Sequence, residues 1–489
     1  MTLGGFKRLR LDAQTRWPLL GVLLPSLTVG AGLRIWLSLH DDGIYWPDEI
    51  YQSLEPAHRL VFGYGMIAWE FVEGARNWAL PGLVALVLKL SSWSGATRPD
   101  AYLLVVRFFF SIASLATAWG AFRLARALGA TSLAASCSAA LFALAAPAIY
   151  FAHRAMSENA SALAVVWGLA LSLPPTVKPR RRWLGASVLG AATLIRVQSG
   201  IFCFGLLGIL LARRQWRACA QTGLILLAWA LLYGALDKVT WGGWFHSAIV
   251  YLRFNLLEGQ ASQWGVSTAG FYLRTLFTSM PPVAVALAVL VPLGAVRARG
   301  LFLVLLAYGI LHSLIPHKEL RFLLPEFPLL CALAGIGLSW VAAAFSRAAS
   351  NALSFAALAC AATSAARFHA LTFGDLGQYE SIKPSASAYD DFGPVNRLLR
   401  AAYGVPDLCG LKVEPVHLAW TGGYSYLHRD VPLYPHSGPP RQSRFFNYAI
   451  ALAGASPGDE VVRSEWPFVL VRIFPGSCAP DPGFSWRLP

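Results

Sequence analysis

The sequence predicts a polytopic α-helical membrane protein, and three observations carry that prediction. Of its 489 residues, 56% are hydrophobic and only 13% charged, with a mean hydropathy of +0.52. Apolar runs recur along the first 372 residues, roughly eleven of them, many near the ~20 residues a span needs. The net charge of +15 falls in short clusters between those runs, not along a stripe of the kind that binds nucleic acid. The expected environment is a lipid bilayer, and no nucleic-acid partner is indicated.

The candidate spans are 17–39, 101–125, 131–150, 160–174, 183–197, 200–212, 217–236, 277–296, 300–315, 322–345 and 351–371. The first follows Lys7, Arg8, Arg10 and Arg16 as a signal peptide would, but it is long and lacks a small-residue cleavage site. It is read as a retained helix with a cytoplasmic N-terminus. Segment 78–93 is short and carries Pro81 and Lys89, which favours an interfacial or re-entrant helix. The connections 126–130, 175–182, 213–216, 297–299 and 346–350 are then cytoplasmic; each is basic and none holds Asp or Glu. The opposite side receives 40–100, 151–159, 237–276, the turn near 317 and everything after about 372.

From 373 the chain gains Pro, Gly and charge, and its apolar runs become too short to span. Segment 394–403 reads as a short helix, 411–419 and 466–474 as buried strands. The organisation is therefore a membrane domain over 1–372, whose first outer loop 40–100 holds interfacial helices, and a small α/β domain over 373–489 on the outer face. Cys409 and Cys478 lie in that second region. They form a disulfide if it sits outside the cytoplasm, or remain two free thiols.

Ionisable groups beside hydrocarbon are costly and usually line a cavity or substrate path. The turn His317-Lys318-Glu319-Leu320-Arg321 sits between two apolar runs, and its cations can surround a phosphate. The alternative is a self-contained salt-bridge turn neutralised by Glu319. In the first outer loop, Pro47 and the acids Asp48 and Glu49 fit a capped interfacial helix. They equally fit a general base, Asp48, that deprotonates a sugar hydroxyl while Glu49 orients the acceptor or shares the role. Gln52, Trp69 and Glu70 of the same loop, together with Glu319, are candidate substrate contacts. Arg154, beside His153, is a further candidate for a donor phosphate, whereas Arg196 with Gln198 reads as a snorkelling helix end. The segment Thr421–Asp430 is either a surface connection or a lid over the membrane site, which makes Tyr424 and His428 candidates as well. Neither a metal-ligand cluster nor a nucleotide-binding loop appears, so no cofactor is expected.

The stretch PDEIYQSLEPAHRLVFGYG (47–65), followed by AWEF (68–71), resembles the first lumenal loop of the GPI mannosyltransferase III group. The stretch HKELRFLLP (317–325) matches the H-K-E-x-R-F signature of the wider glycosyltransferase family twenty-two, the lipid-phosphate-mannose-dependent alpha-mannosyltransferases. Similarity in helix order extends to about residue 372. The resemblance implies a GT-C fold and metal-free, inverting transfer from a polyprenyl-phosphate sugar. It implies Asp48 as base with Glu49 beside it, and donor-phosphate contacts at His317, Lys318 and Arg321. Trp46 stands where the family usually carries His, so the acceptor does not carry over. A composition rich in Ala, Arg and Leu suggests a bacterial inner-membrane protein with its site facing the periplasm. The expected donor sugar is mannose, and the acceptor a glycan or glycolipid. The alternatives are transfer of another sugar, such as aminoarabinose to lipid A, and a lipid-linked sugar flippase.

Overall fold

Backbone polar groups find no water in hydrocarbon, so apolar runs of this length must satisfy their own hydrogen bonds by coiling into helices. A computed structural model describes residues 17–174, 176–378, 382–454 and 459–488, and all eleven apolar runs are helical in it. The basic residues Lys7 to Arg16 lie outside the described residues. Among the described residues, five helices are individually long and apolar enough to cross a membrane: Leu19–His40, Pro99–Ala127, Trp216–Trp241, Phe327–Ala344 and Arg347–Ala366. Shorter apolar helices, among them Ala79–Trp93, Ser132–Ala143, Pro281–Arg297 and Arg299–Leu314, pack with them.

Several boundaries differ from the sequence expectation, and proline explains three. The run 277–296 is split at Met280, ahead of Pro281 and Pro282. The run 322–345 becomes helical only at Phe327, because Pro325 disfavours helix before it and Pro328 suits a first turn. Residues Leu320–Leu323 form a separate 3-10 turn that carries Arg321. The run 131–150 breaks after Ala143 and restarts at Ala146, with Pro147 in the new first turn. Of those five long helices, Phe327–Ala344 is the most enclosed. A Cβ on Gly337 would sit 2.2 Å from the carbonyl oxygen of Leu290, and one on Gly294 would sit 2.1 Å from that of Leu333. Only glycine lets these two backbones meet so closely.

The C-terminal region carries helix Gly393–Tyr403 and a five-stranded sheet. Its strands are β1 (Leu411–Val413), β2 (Leu433–Tyr434), β3 (Tyr448–Leu452), β4 (Glu460–Glu465) and β5 (Phe468–Arg472). They lie in the order β2-β1-β3-β5-β4; β1 runs parallel to both neighbours, while β3–β5 and β5–β4 are antiparallel. Cys409 and Cys478 are joined by a disulfide. Val395, Leu398, Leu411 and Leu470 share one continuous core with Ile50, Leu54, Val84 and Val106. The sheet region is thus built onto the first loop and fixes where that loop sits.

Candidate functional site

Pro47 starts a helical turn in which the amides of Ile50 and Tyr51 bond back to its carbonyl. The chain continues through Ile50–Leu54 into helix Glu55–Phe62. Adjacent residues on a helix diverge by about 100°, so Asp48 and Glu49 cannot face the same space. Asp48 and Gln52, four apart, line one cavity, which holds about 570 Å³ including its open mouth. Glu49 points the other way.

Arg321, buried on its 3-10 turn, meets Asp48 in that cavity. Its Nη2 donates to Asp48 Oδ2 at 2.6 Å, while Nε and Nη2 donate to Glu319 at 2.9 and 2.7 Å. His317 Nε2 lies 3.0 Å from Glu319 Oε1. Burial alone would raise the Glu319 carboxyl, but Arg321 and His317 outweigh it and hold the group near about 2. Across the cavity, Glu158 Oε1 accepts from Arg196 Nη1 at 2.6 Å and lies 3.8 Å from Arg321 Nη1. The result is a chain of alternating charge, His317–Glu319–Arg321–Asp48, buried at Glu319 and Arg321 and half-buried at its ends, with buried Glu158 and Arg196 attached to it. Groups this deep stay ionised only when paired.

The structure separates the other expected residues from this cavity. Lys318 Nζ donates to the carbonyls of Ile315, Ser267 and Pro316 at 2.7, 2.9 and 3.4 Å and does not line it. Arg154, expected to reach a donor phosphate, is closed instead on Glu49 (2.9 Å), Asp41 (2.8 Å) and the Gly43 carbonyl. Two carboxylates and 3% exposure leave it a clamp for the entry to the first loop. Glu49, held by Arg154 and the Tyr45 amide at 2.6 Å, acts in the same clamp, and burial pushes its carboxyl up. Glu70 accepts from Gln52 Nε2 at 2.7 Å, just behind the lining. Burial, then the charge of Asp48, pushes Glu70 up to about 7. Trp69 packs on Phe254 at 4.7 Å between centroids, outside the cavity.

The segment Thr421–Asp430 is a brace, not a lid. Residues Gly423–Leu427 form a buried helical turn whose Tyr424 and Ser425 amides and Ser425 hydroxyl donate to the Glu55 carboxylate at 2.6–3.0 Å. His428 Nδ1 lies 2.9 Å from His58 Nε2. Tyr424 and His428 therefore tie the C-terminal region to the first loop and do not line the cavity. Arg196 is also corrected: it does not snorkel but is 6% exposed and ion-paired in the cavity wall. Sequence reasoning missed Glu158 and Arg76. The one available signal for Glu158 was an acid opening the apolar helix Ser157–Ser172.

A model of the Alg9-like mannosyltransferase family matches residues 27–400, which holds the Asp48 turn, the Arg321 turn and the helices between them. The chain belongs to the Alg9-like mannosyltransferase family. It is 27% identical over 328 residues to GPI mannosyltransferase 3 of Yarrowia lipolytica, covering 65% of this chain and 62% of that protein. It is 28% identical over 311 residues to mannosyltransferase APTG1 of Arabidopsis thaliana, covering 59% of this chain and 54% of that protein. This Alg9-like chain thus spans between half and two thirds of the length of those relatives.

Among solved structures, ArnT of Cupriavidus metallidurans in the apo state superposes with a TM-score of 0.61 at 15% identity, covering 96% of this chain and 100% of that one. The oligosaccharyltransferase of Archaeoglobus fulgidus gives 0.53 at 14% identity, covering 87% and 64%. The family member therefore has the GT-C architecture, and the likeness at this identity concerns the fold.

Proposed function

We propose that the protein is an inverting membrane mannosyltransferase that uses a polyprenyl-phosphate sugar and delivers it to a hydroxyl of a glycan or glycolipid. The observation that carries the reading is Asp48 and Arg321 at 2.6 Å in one buried, open-mouthed cavity. An acid for the acceptor and a cation for the leaving phosphate are the two groups such a transfer needs. The Asp48 carboxylate takes the proton of the acceptor hydroxyl. The freed oxygen lone pair forms the new bond at the anomeric carbon, from the face opposite the phosphate. The carbon–oxygen bond to phosphate breaks, and its electron pair leaves with the polyprenyl phosphate. Arg321, drawn to that growing charge, exchanges Asp48 for phosphate and leaves the base free. His317 and Lys318 support the same turn through Glu319 and through backbone carbonyls. Guanidinium groups supply the positive charge that the leaving group requires, and this is the ground for expecting no metal.

The bound undecaprenyl phosphate in a second ArnT structure, with a TM-score of 0.59, is consistent with a polyprenyl carrier for this fold. The basic connections between spans support an active site on the outer face of the membrane with the N-terminus cytoplasmic, and the Ala-, Arg- and Leu-rich composition supports a bacterial inner membrane. The Cys409–Cys478 disulfide supports the C-terminal region lying on the oxidising side. The reading is tested with membranes expressing the chain and polyprenyl-phosphate mannose carrying a labelled sugar. Incorporation that is lost in Asp48→Asn is expected. Turnover of a different sugar donor without mannose incorporation refutes the mannose assignment, and lipid-linked sugar movement that survives Asp48→Asn refutes the transferase.

A further inference from the structure

The cavity holds three guanidinium groups, and two of them are already matched. Arg321 is paired with Asp48 and Glu319, and Arg196 with Glu158. The third, Arg76, also lines the cavity. Among the described residues it has no carboxylate oxygen within 4.0 Å, and its buried Nε has no hydrogen-bond partner. Its guanidinium lies over the ring of Tyr251, 5.4 Å from the centroid, a contact that orients the fork without neutralising it. Glu70 is close enough to feel its charge but is not bonded to it.

The backbone that delivers Arg76 is held unusually firmly for a loop. Trp241 Nε1 donates to the Arg76 carbonyl at 3.0 Å, and Asn77 Nδ2 donates to Asp237 at 2.8 Å. Asp237 is itself fully buried and accepts from the Ser247 amide and hydroxyl, both at 2.8 Å. Two residues earlier, Gly74 has φ +73, and a Cβ there would fall 2.5 Å from His246 Nε2. That turn accepts only glycine. A cation fixed in place beside a cavity, lacking an anion of its own, is preorganised for an anion that arrives.

We infer that Arg76 is the primary contact for the phosphate of the lipid-linked donor, gripping it opposite Arg321 while Tyr251 holds the guanidinium plane. The inference rests on the function proposed above and changes which residues carry the donor. Lys318 and His317 are occupied by carbonyls and by Glu319, whereas Arg76 lines the cavity with no carboxylate paired to it among the described residues. The same chemistry would accept an inorganic phosphate, so the test separates the two sources.

The full chain in lipid nanodiscs is titrated with a short polyprenyl phosphate, with the matching polyprenol and with inorganic phosphate. Wild type is expected to bind the phosphorylated lipid about tenfold or more tightly than the alcohol. Arg76→Gln and Arg76→Met, each checked for a monodisperse, cooperatively melting protein, should collapse that ratio to about twofold or less with polyprenol binding unchanged. Arg76→Met keeps the packing over Tyr251, so it carries the test if the glutamine variant misfolds. A full ratio in either folded variant overturns the inference. Arg76-dependent binding of inorganic phosphate without any gain for the lipid phosphate also overturns it. A wild type that shows no preference for the phosphorylated lipid sinks the proposed function itself, a result distinct from the other two.

Discussion

Asp48 and Arg321 are 273 positions apart in the chain, yet carboxylate and guanidinium meet at 2.6 Å. The contact brings the first loop and the turn before helix Phe327–Ala344 to one wall of one cavity. Asp48 keeps about a fifth of its side-chain surface exposed (22%), while Arg321 keeps 3%. The acid is thus the partner that a substrate can reach. Asp48→Asn should lower turnover by about 10²- to 10⁴-fold, the usual loss on removing a positioned base. Binding of a polyprenyl phosphate should be kept or strengthened, since Arg321 loses a competitor. Unchanged turnover in a membrane assay with labelled donor would place the base elsewhere.

Glu319 has a different duty, because its two oxygens accept from Arg321 and one also meets His317. Removing it takes from a buried guanidinium its doubly bonded carboxylate and leaves Asp48 and the more distant Glu158. Glu319→Ala should destabilise the protein by about 3–5 kcal/mol, the range for breaking a buried pair from one side. Glu319→Gln, which keeps an acceptor, should lose less. Thermal unfolding in detergent at neutral pH measures both, and equal midpoints for Glu319→Ala and wild type would remove this pair from the site's supports.

Much of this was legible before any coordinates. Spans announce themselves because ~20 apolar residues have few other fates, and the Arg321 turn stood out as charge between two such runs. The sheet was half visible. Strand β5, with its run of Val and Leu, read as buried, but β4 is exposed along most of its length and Tyr448–Leu452 was not singled out. What one sequence hides is which charge meets which. Arg154 looked available for phosphate because its two carboxylates, Asp41 and Glu49, are 113 and 105 positions away. Arg196 looked like a snorkelling end because its partner Glu158 is 38 positions upstream, on another helix. The parting of Asp48 from Glu49 does follow from helix geometry alone, once the turn after Pro47 is taken as helical.

Glu70 offers a pH test. Burial and the charge of Asp48 raise its carboxyl to about 7, above the value near 4.3 expected in an unfolded chain. The folded state therefore holds the proton more tightly, and stability falls as pH rises between those two values. Above about 7 the full penalty of a buried charge is present; below about 4 it is gone. Glu70→Gln keeps the acceptor for Gln52 and removes the titration. It should stabilise the fold at pH 8, by about 3.7 kcal/mol at most, and lose most of that advantage by pH 5, read as the shift in unfolding midpoint. An equal difference at both pH values would show that packing, not ionisation, separates the two proteins.

The brace between the first loop and the C-terminal region should fail in acid, for a reason written in its hydrogen bonds. His58 Nδ1 lies 3.0 Å from the Tyr64 carbonyl, so that nitrogen carries the hydrogen and Nε2 is left as an acceptor. His428 Nδ1, 2.9 Å away, must then donate to it. A second proton on His58 would set two N–H groups against each other. Burial, and then His428, lower His58 to about 3, and burial lowers His428 to about 4. Both folded values lie below the ~6.5 of an unfolded histidine, so the unfolded chain takes up protons first. Stability is complete above about 6.5 and drains as the pH falls towards 4. His428→Asn can still donate to His58 without titrating. It should flatten the acid limb of an unfolding-midpoint profile between pH 6.5 and 4 while leaving the proposed sugar transfer at pH 7 within about twofold, because neither ring lines the cavity. An acid limb as steep as that of wild type would mean that other groups, not this pair, hold the two regions together.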